Sequence, residues 1–385
     1  MMSRSRKRRM ITTVVALVVA LAVVLAPLLL FWPSAEEIVI GEDSWTMPGG
    51  GPQHLSYLPL APQGPLRERW NTRLEGALAG PPAVAGERIY ASCENGLLYS
   101  LDLESGKPVW RFDAGSELTS MPAVSEAGVF LGTPDGRVLC VGPGGDLNWE
   151  SEVGGAVVST PIPAGDRVYF GSSDRFVYCV DAASGSEIWS FQAEGPVEVS
   201  PCLYEGQVYA TSFEGDLFAL DARDGRLVWT YHSQDVPMVL PAADDGRVFQ
   251  ATEFGLHCID TQSGKLLWEY ATGVTVISNL AIRGNQLIVV DGSTGTDSRT
   301  LSLDARTGDV LWEAPSGYTT DRTELLASNE DIYMCGIDYL RAFAIESGTP
   351  SLESEIRGVL PHTMTVTKVY VLVGTDSRKV YCLEK

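Results

Sequence analysis

A chain of 385 residues with 39 Gly, 45% hydrophobic and 9% aromatic residues has the composition of a globular protein, which argues against a disordered chain. Five basic residues lie within the first ten positions, and the remaining 23 basic residues against 49 acidic ones give the body a net charge of about −26. A body this acidic argues against nucleic acid as a partner, because phosphate contacts need clustered Lys and Arg side chains.

The first predicted element is a membrane-spanning helix within residues 1–32. A cytoplasmic basic stub, RSRKRR, precedes an apolar run over residues 10–32 that is 23 residues long. The hydrophobic region of a secretory signal has about 7–15 residues, whereas a bilayer-spanning helix needs about 20. The run therefore predicts a single-pass signal-anchor, which places everything after it on the outer (periplasmic or extracellular) side of a bacterial cell membrane. The alternatives are a cleaved signal with a poor cleavage site at Pro33-Ser34-Ala35 and a twin-arginine signal, to which Arg8-Arg9 bears a weak resemblance.

The next predicted element is an extended linker over residues 33–65. Its first part, SAEEIVIGEDS, is acidic, and its second part, MPGGGPQHLSYLPLAPQGP, is rich in Pro and Gly. Such compositions are typical of irregular, extended chain. No Cys directly follows the apolar run, so we do not expect a lipid-anchored start.

Residues 66–385 consist of repeats of about 40 residues. Each repeat divides into four short apolar runs separated by turn residues; those of the first are Pro82–Val84, Arg88–Ser92, Leu97–Asp102 and Pro108–Phe112. Four strands in about 40 residues predict a four-stranded antiparallel blade. A Trp marks the fourth strand, and the series is Trp70, Trp110, Trp149, Trp189, Trp229, Trp268 and Trp312.

The number of repeats predicts how the ring closes. Pairs of second and third strands begin eight times, at Ile89, Val129, Val168, Val208, Val248, Leu287, Ile332 and Val369. The eighth pair ends at Lys385 without a fourth strand, and a spare strand around Trp70 precedes the first blade. Joining the two removes the open sheet edges. The predicted fold class is therefore all-β, an eight-bladed β-propeller with an N-terminal transmembrane helix, and a seven-bladed ring is the competing prediction.

Three repeats depart from the pattern. Gly142 stands where the others have Asp, an insertion GSTGTDSRT separates the middle strands of the sixth blade, and Ala344 and Leu352 replace the Asp and Trp of the seventh. Repeat proteins tolerate such lapses because neighbouring units supply most of the burial.

The repeated polar and aromatic residues are interpreted as structural. A buried Trp removes about 150–250 Å² from water, and seven at one repeat position indicate packing between blades. The Asp before each turn suits acceptance of backbone N–H bonds, a better explanation than calcium binding or general-base chemistry, and the Gly supplies the turn itself. These residues are Asp102, Asp181, Asp221, Asp260 and Asp304, with Gly106, Gly185, Gly225, Gly264 and Gly308.

The Cys and His residues carry no metal or redox pattern. Cys140, Cys179, Cys258 and Cys382 share one repeat position that otherwise holds Ser or Ala, so we expect them to act as small buried residues. The others, Cys93, Cys202 and Cys335, form no CxxC pair, and we expect mostly free thiols. His54, His232, His257 and His362 have no paired spacing, and His257 is expected to be partly covered. We therefore predict no catalytic, cofactor-binding or metal-binding residues.

The repeat [LVI]-D-x-x-[STD]-G-x-x-x-W after a [VI]-[YF] strand resembles the pyrroloquinoline-quinone (PQQ) repeat of eight-bladed propellers. The lead-in WTMPGGGPQH, Trp45–His54, is similar to the segment that often precedes the first blade in this family. The resemblance covers about residues 45–385. One branch of the family, the quinoprotein dehydrogenases, binds PQQ and calcium, typically with a longer chain, inserted loops and, in the alcohol enzymes, an adjacent Cys pair. This sequence lacks that pair and is instead similar in size and regularity to the compact, non-enzymatic branch that includes the propeller lipoprotein of the outer-membrane barrel-assembly machine (BamB-like).

The resemblance and the absence of a catalytic pattern predict a non-catalytic, extracytoplasmic scaffold for protein–protein interaction at the cell envelope. The expected partner is an envelope or membrane protein, with no cofactor and a monomeric state. The alternatives are a PQQ- and calcium-dependent quinoprotein dehydrogenase and a ligand-sensing ectodomain.

The candidate binding face is formed by the loops that lead from each Trp strand into the next blade, since loops on a rigid scaffold often carry function. The loops chosen are Gly115–Ser120, Gly155–Thr160, Gly195–Ser200 and Gln234–Leu240. Each carries an apolar residue expected to be exposed: Leu118, Val158, Val197 and Met238. The alternative is that these residues pack against the channel mouth.

Overall fold

Eight four-stranded antiparallel sheets make up the body of the protein. The computed structural model describes residues 37–41, 44–62, 64–233, 235–292, 295–319, 323–336, 339–355, 361–375 and 377–385. The chain divides into two units, Met1–Glu37 and Ile38–Lys385, and apart from Glu37 the first lies outside the described residues. The predicted membrane-spanning helix at residues 10–32 falls there too. Within the described ranges, no helix is long and apolar enough to cross a membrane.

The strands follow one order in every blade, from an inner strand at the centre of the ring to an outer strand at its rim. The inner strands are Ala83–Ala85, Ala123–Ser125, Ile162–Ala164, Cys202–Tyr204, Ala242–Asp244, Ala281–Arg283, Leu325–Ala327 and Pro361–Val366. The second strands are Arg88–Ser92, Gly128–Gly132, Arg167–Gly171, Gln207–Thr211, Arg247–Ala251, Gln286–Asp291, Asp331–Gly336 and Tyr370–Thr375. The third strands are Leu97–Asp102, Arg137–Val141, Phe176–Asp181, Asp216–Asp221, Gly255–Asp260, Gly295–Asp304, Tyr339–Ala344 and Lys379–Glu384. The outer strands of blades 1 to 7 are Pro108–Asp113, Leu147–Glu152, Glu187–Gln192, Leu227–His232, Leu266–Ala271, Val310–Thr319 and Pro350–Glu355.

The eighth blade takes its outer strand from the other end of the body. Arg67–Arg73 pairs antiparallel with Lys379–Glu384, so that Trp70 lies opposite Cys382. This pairing covers the edge that the last strand would otherwise present to solvent. The predicted eight-bladed ring of four-stranded antiparallel blades is confirmed.

The hydrophobic core lies between neighbouring blades. One cluster joins Tyr169, Val177 and Trp189 of the third blade to Val208 and Leu220 of the fourth, and similar clusters follow around the ring. Successive residues of a second strand point to opposite faces of the sheet. One face packs against the preceding blade and the other against the following blade, which explains why these strands are apolar on both faces.

Each of the seven Trp side chains reaches into the next blade. The indole Nε1–H of Trp189 donates to the carbonyl of Ala222 at 3.1 Å, and the turn of that next blade presents Gly225 to the indole ring. A Cβ at Gly225 would lie 2.6 Å from ring atom Cε3 of Trp189. Equivalent indole bonds run from the other six Trp residues to Leu103, Pro143, Ala182, Thr261, Ala305 and Ile345.

The repeated Asp residues hold the adjoining turns. Asp181 Oδ1 accepts the backbone N–H of Ser184 at 2.8 Å, and Asp260 does the same for Ser263 at 2.8 Å. In Asp221 the carboxylate accepts the backbone N–H of Arg223 at 2.9 Å. The hydrogen bonds from Arg223 lower the pKa of Asp221 to about 2. Asp102 and Asp304 accept N–H groups in the same way.

The irregular repeats keep the sheet. The insertion in the sixth blade lengthens the third strand and pairs it with a longer outer strand. Its Arg299 contacts the buried Asp291 through Nε at 3.0 Å and Nη2 at 3.0 Å. Leu352 replaces the Trp of the seventh blade and packs, partly buried, against the core beside the first and eighth blades.

The segment predicted as a linker belongs in large part to the propeller. Ile38–Pro62 lies in the same unit as the blades, and the part we call the strap, Trp45–Leu58, follows the inside of the ring. The domain boundary expected at residue 66 therefore moves to Ile38.

The strap bonds to the inner strands in blade order. Trp45 exchanges two backbone bonds of 2.8 Å with Val84 of blade 1, and Leu58 N–H donates to Ala327 of blade 7 at 2.9 Å. Between them, strap carbonyls accept N–H bonds from Val124, Leu203, Ala243 and Ile282, in blades 2, 4, 5 and 6. Met47 packs against Ala123 and Ile162, which brings in blade 3. The inner strands would otherwise have unpaired N–H and C=O groups facing the channel, and the strap satisfies part of them.

Candidate functional site

A cavity of about 410 Å³ lies at the centre of one face of the ring. Its wall comes from the loops that enter the inner strands, and so from the same repeat position in successive blades. Thr119, Val158, Glu198, Met238 and Ile277 occupy that position in blades 2 to 6. The strap contributes Trp45, Pro48, Gly49 and Ser56 to the lining. The strap bonds to the inner strands themselves, which follow these loops in the chain, and it therefore lies deeper in the channel. We call this space the mouth cavity.

The structure separates the four residues predicted to form a binding face. Val158 and Met238 line the mouth cavity, and Met238 is 43% exposed. Leu118 and Val197 are 0% exposed and belong to interblade cores. The expectation that these two are exposed was therefore wrong.

The mouth cavity carries negative charge on a wall of mixed apolar and polar residues. Its described lining residues include two carboxylates, Glu198 and Glu324, and no Lys, Arg or His. Glu198 is half-buried and accepts a hydrogen bond from the Ser173 hydroxyl at 2.6 Å. Glu324 is half-buried as well, and burial raises its pKa to about 7. No described residue forms a hydrogen bond or ion pair with the Glu324 carboxyl.

An exposed apolar surface adjoins the mouth cavity, and we call it the apolar rim. It consists of Phe213, Val236, Met238, Phe254 and Val274, which are all more than a third exposed. Backbone bonds join the loops that carry four of these residues: Glu253 N–H donates to the Val236 carbonyl at 3.0 Å, and Thr272 N–H donates to the Phe254 carbonyl at 3.1 Å. Phe213 lies in the corresponding turn of blade 4.

Sequence reasoning missed most of the rim. Phe213 and Phe254 lie in the turns between second and third strands. The corresponding turns of the first three blades carry Glu94, Asn95, Pro134, Asp135, Ser173 and Asp174. Aligning these turns across the repeats would have shown that two neighbouring blades place an aromatic residue where the first three carry polar residues or proline.

His54 fixes the strap beneath the mouth cavity. Its Nδ1–H donates to the carbonyl of Pro241 at 3.0 Å, and its Nε2 atom is buried without a described partner. Burial lowers the pKa of His54 to about 4, so the imidazole is neutral at physiological pH. His257 is also buried and contacts the Tyr231 hydroxyl through Nδ1 at 2.8 Å, which identifies it as a core residue.

All seven Cys residues are buried free thiols. Burial raises the pKa of the Cys140 and Cys179 thiols to about 12, and it acts in the same direction on the other five. A thiol that remains protonated is a poor nucleophile. The thiols therefore add no chemistry to the mouth cavity.

Comparison with known families gives a match over most of the propeller. A family model described as outer membrane protein assembly factor BamB matches residues 66–156, 134–241 and 236–350. The outer membrane protein assembly factor BamB of Nitrosomonas eutropha is 30% identical over 134 residues, which cover 34% of this chain and 32% of that protein. BamB of Bordetella pertussis is 27% identical over 132 residues, covering 34% of each chain. The matched stretches thus span about a third of the length of these relatives.

Solved structures share the fold. BamB from Moraxella catarrhalis has a TM-score of 0.70 at 17% identity and covers 83% of this chain and 100% of its own. A quinohemoprotein alcohol dehydrogenase from Pseudomonas putida has a TM-score of 0.74 at 14% identity, covering 89% and 80%. The computationally designed protein Ika8 has a TM-score of 0.71 at 16% identity, covering 81% and 98%. At these identities the likeness concerns the fold alone.

The mouth cavity does not suit a PQQ–calcium pair. PQQ is an anionic quinone that carries several carboxylates, and its binding would bring them against Glu198 and Glu324 with no basic side chain among the described lining residues. Like charges in a partly desolvated cavity repel each other. The described parts of the chain also bring no three His, Cys, Asp or Glu side chains together as a metal site.

Proposed function

The chain belongs to the family described as outer membrane protein assembly factor BamB, and from this premise we propose that it is a non-catalytic, extracytoplasmic scaffold that binds another envelope protein. The relatives are named as assembly factors of the outer membrane, and this chain matches about a third of their length. An assembly role is therefore consistent with the family. The proposed partner is an envelope or membrane protein that binds the ring face around the mouth cavity.

The apolar rim is the observation that carries this proposal. Phe254 is 51% exposed and lies on the same ring face as Met238. Exposed aromatic and Met side chains that adjoin one another are enriched at protein interfaces. The rim is also carried by short loops between rigid strands, so binding does not require the loops to become ordered.

Site-specific photocrosslinking in the host membrane tests the rim. A photoreactive residue at Phe254 or at Val236 should give the same protein adduct. The matched control is Val109, an equally exposed apolar residue on an outer strand, and no adduct is expected there. Val236→Glu together with Phe254→Glu should abolish the adduct formed from Met238. An adduct that persists in the double variant, or that forms equally at Val109, would contradict the rim as the binding surface.

The proposed location is the outer side of the cell membrane, with residues 10–32 as the anchor. The support is the length of the apolar run and the basic stub before it, as set out from the sequence. In spheroplasts, the full-length chain should remain in the membrane after carbonate extraction, and added protease should digest the propeller. A mature protein whose mass lacks residues 1–35 would instead show a cleaved signal.

A further inference from the structure

The mouth cavity has a chemistry that narrows the kind of partner it can take. Glu324 comes from the loop entering blade 7 and Glu198 from the loop entering blade 4, and both line the cavity. The remaining described wall includes Trp45, Met121 and Ile277. Carboxylates beside these apolar residues favour a ligand with a positive charge on an apolar stem.

Unsatisfied polar groups strengthen this interpretation. The Glu324 carboxyl has no partner among the described residues. Thr363 also lines the cavity, is 3% exposed, and has a hydroxyl without a described hydrogen-bond partner. Buried polar groups without partners are uncommon in folded proteins and often mark a place where a ligand supplies the missing bond. A Lys or Arg side chain brings several N–H donors to such a site.

The volume of the mouth cavity alone would also admit a small organic cation. Two observations favour a polypeptide. Met238 belongs both to the cavity wall and to the apolar rim, so an extended segment can contact the two surfaces together. The body also carries a net charge of about −26, which attracts a basic partner over distances longer than one contact.

We infer that the mouth cavity binds a Lys or Arg side chain of an extended segment that alternates basic and apolar residues and belongs to the partner protein. The basic side chain lies against Glu324, with its aliphatic stem along the apolar residues of the cavity wall, and the neighbouring apolar side chains contact the apolar rim. This inference rests on the proposed scaffold function and assigns the chemistry of its partner.

Peptide binding to the full-length protein in detergent tests the inference. The probes are a fluorescein-labelled peptide of alternating Leu and Lys and an otherwise identical peptide of alternating Leu and Gln. We expect the Leu–Lys peptide to bind roughly tenfold more tightly, the difference expected for one hydrogen bond to a charged group. Glu324→Gln should remove that difference, and Glu198→Gln should reduce it independently. The matched control is Glu126→Gln, which changes an exposed Glu in a hairpin outside the cavity and should bind both peptides as the wild type does.

Two results would overturn the inference. Equal binding of the Leu–Lys peptide to the wild type and to both cavity variants would place the peptide elsewhere on the acidic surface. Competition by arginine amide at the affinity of the peptide would make the occupant a small cation. The proposed scaffold function would still hold after either result if crosslinking at Phe254 persists. Absence of a crosslinked partner at both Phe254 and Val236 would contradict the scaffold function itself.

Discussion

Glu324 is half-buried in the wall of the mouth cavity, and His54 is a buried residue of the strap. Desolvation shifts the pKa values of these two groups in opposite directions. Burial raises the pKa of Glu324 to about 7 and lowers that of His54 to about 4. In each case desolvation disfavours the charged form, so each group costs stability over the pH range in which the unfolded chain would carry its charge. The two pH ranges can be separated by substitution.

Glu324→Gln should stabilise the protein at alkaline pH. The folded-state pKa is above the ordinary value of 4.5, so wild-type stability is lost as pH rises from about 4.5 through 7. We expect the variant to be more stable by about 1–3 kcal/mol at pH 8, reduced from the full shift because the side chain is half-buried, and nearly unchanged at pH 4.5. Urea unfolding at both pH values measures this, with Glu126→Gln as the control. A variant less stable at pH 8 would contradict the unpartnered carboxyl. A residue that costs stability is a common feature of binding sites.

His54→Gln should change the acid side of the profile. The folded-state pKa is below the ordinary 6.5, so the wild type loses stability as pH falls from about 6.5 towards 4, by about 3 kcal/mol from this group. The variant lacks a titrating group there, so its stability should fall less steeply over the same range. Thermal unfolding between pH 4 and 7 measures the difference. A slope for His54→Gln identical to that of the wild type would show that the buried imidazole is not the cause.

At the scale of the elements, the contact between a Trp and the turn Gly of the next blade is the interblade contact that repeats around the ring. Gly225 and Gly206 both adopt positive φ values, +71° and +75°, but only Gly225 has a Trp ring against it. The two turns therefore form a matched pair: the Gly backbone conformation is the same in both, and only the turn with Gly225 contacts a Trp ring.

Gly225→Ala should destabilise the protein more than Gly206→Ala. Both substitutions place an L-residue in the left-handed region, at a cost of about 1–2 kcal/mol. A Cβ at Gly225 would also lie 2.6 Å from the Trp189 ring, whereas nothing lies within 4 Å of one at Gly206. Overpacking adds about 1–3 kcal/mol. The urea unfolding midpoints of the two variants give the difference in stability. Equal midpoints would show that the contact between the Trp ring and the turn accommodates the added methyl group without loss of stability.

The strands were predictable from the sequence because each lies within its own repeat. Short apolar runs and turn residues set the bounds of Arg88–Ser92 and Leu97–Asp102, which agree with the structure. The strap was not predictable, because its partners are backbone groups of strands as distant as Ala327 and its own side chains show no period. The predicted binding face was wrong at two positions, where the residues chosen lie one position before those that face the cavity. Leu118 and Val197 align with the buried Val157, and Val158 is the next position, which faces the cavity. In extended chain a shift of one residue reverses the face.

At the scale of the whole molecule, the buried thiols are distributed around the ring so that their labelling reports on the unfolding of individual blades. Seven blades carry one each, at Cys93, Cys140, Cys179, Cys202, Cys258, Cys335 and Cys382. An open array of repeats frays from its ends, whereas a ring closed by its terminal strands has no ends to fray.

Pulse alkylation at the urea midpoint should therefore give two populations, with no thiol labelled or with all seven labelled. The expected result follows from cooperative unfolding of a closed ring and from the protection of buried, protonated thiols. Mass spectrometry of the intact protein counts the labels. Early labelling confined to Cys93 and Cys382, on either side of the closure, would show that the ring opens before the blades unfold.

The pairing of Arg67–Arg73 with Lys379–Glu384 also sets the order of events as the protein is made. The first strand of the ring leaves the ribosome early, but its partner is the last strand of the chain. No amount of early folding can cover that edge, since the contact spans nearly the whole sequence and such contacts form late. The ring therefore closes only after Lys379–Glu384 has been synthesised. This one strand determines when the eighth blade gains its outer strand.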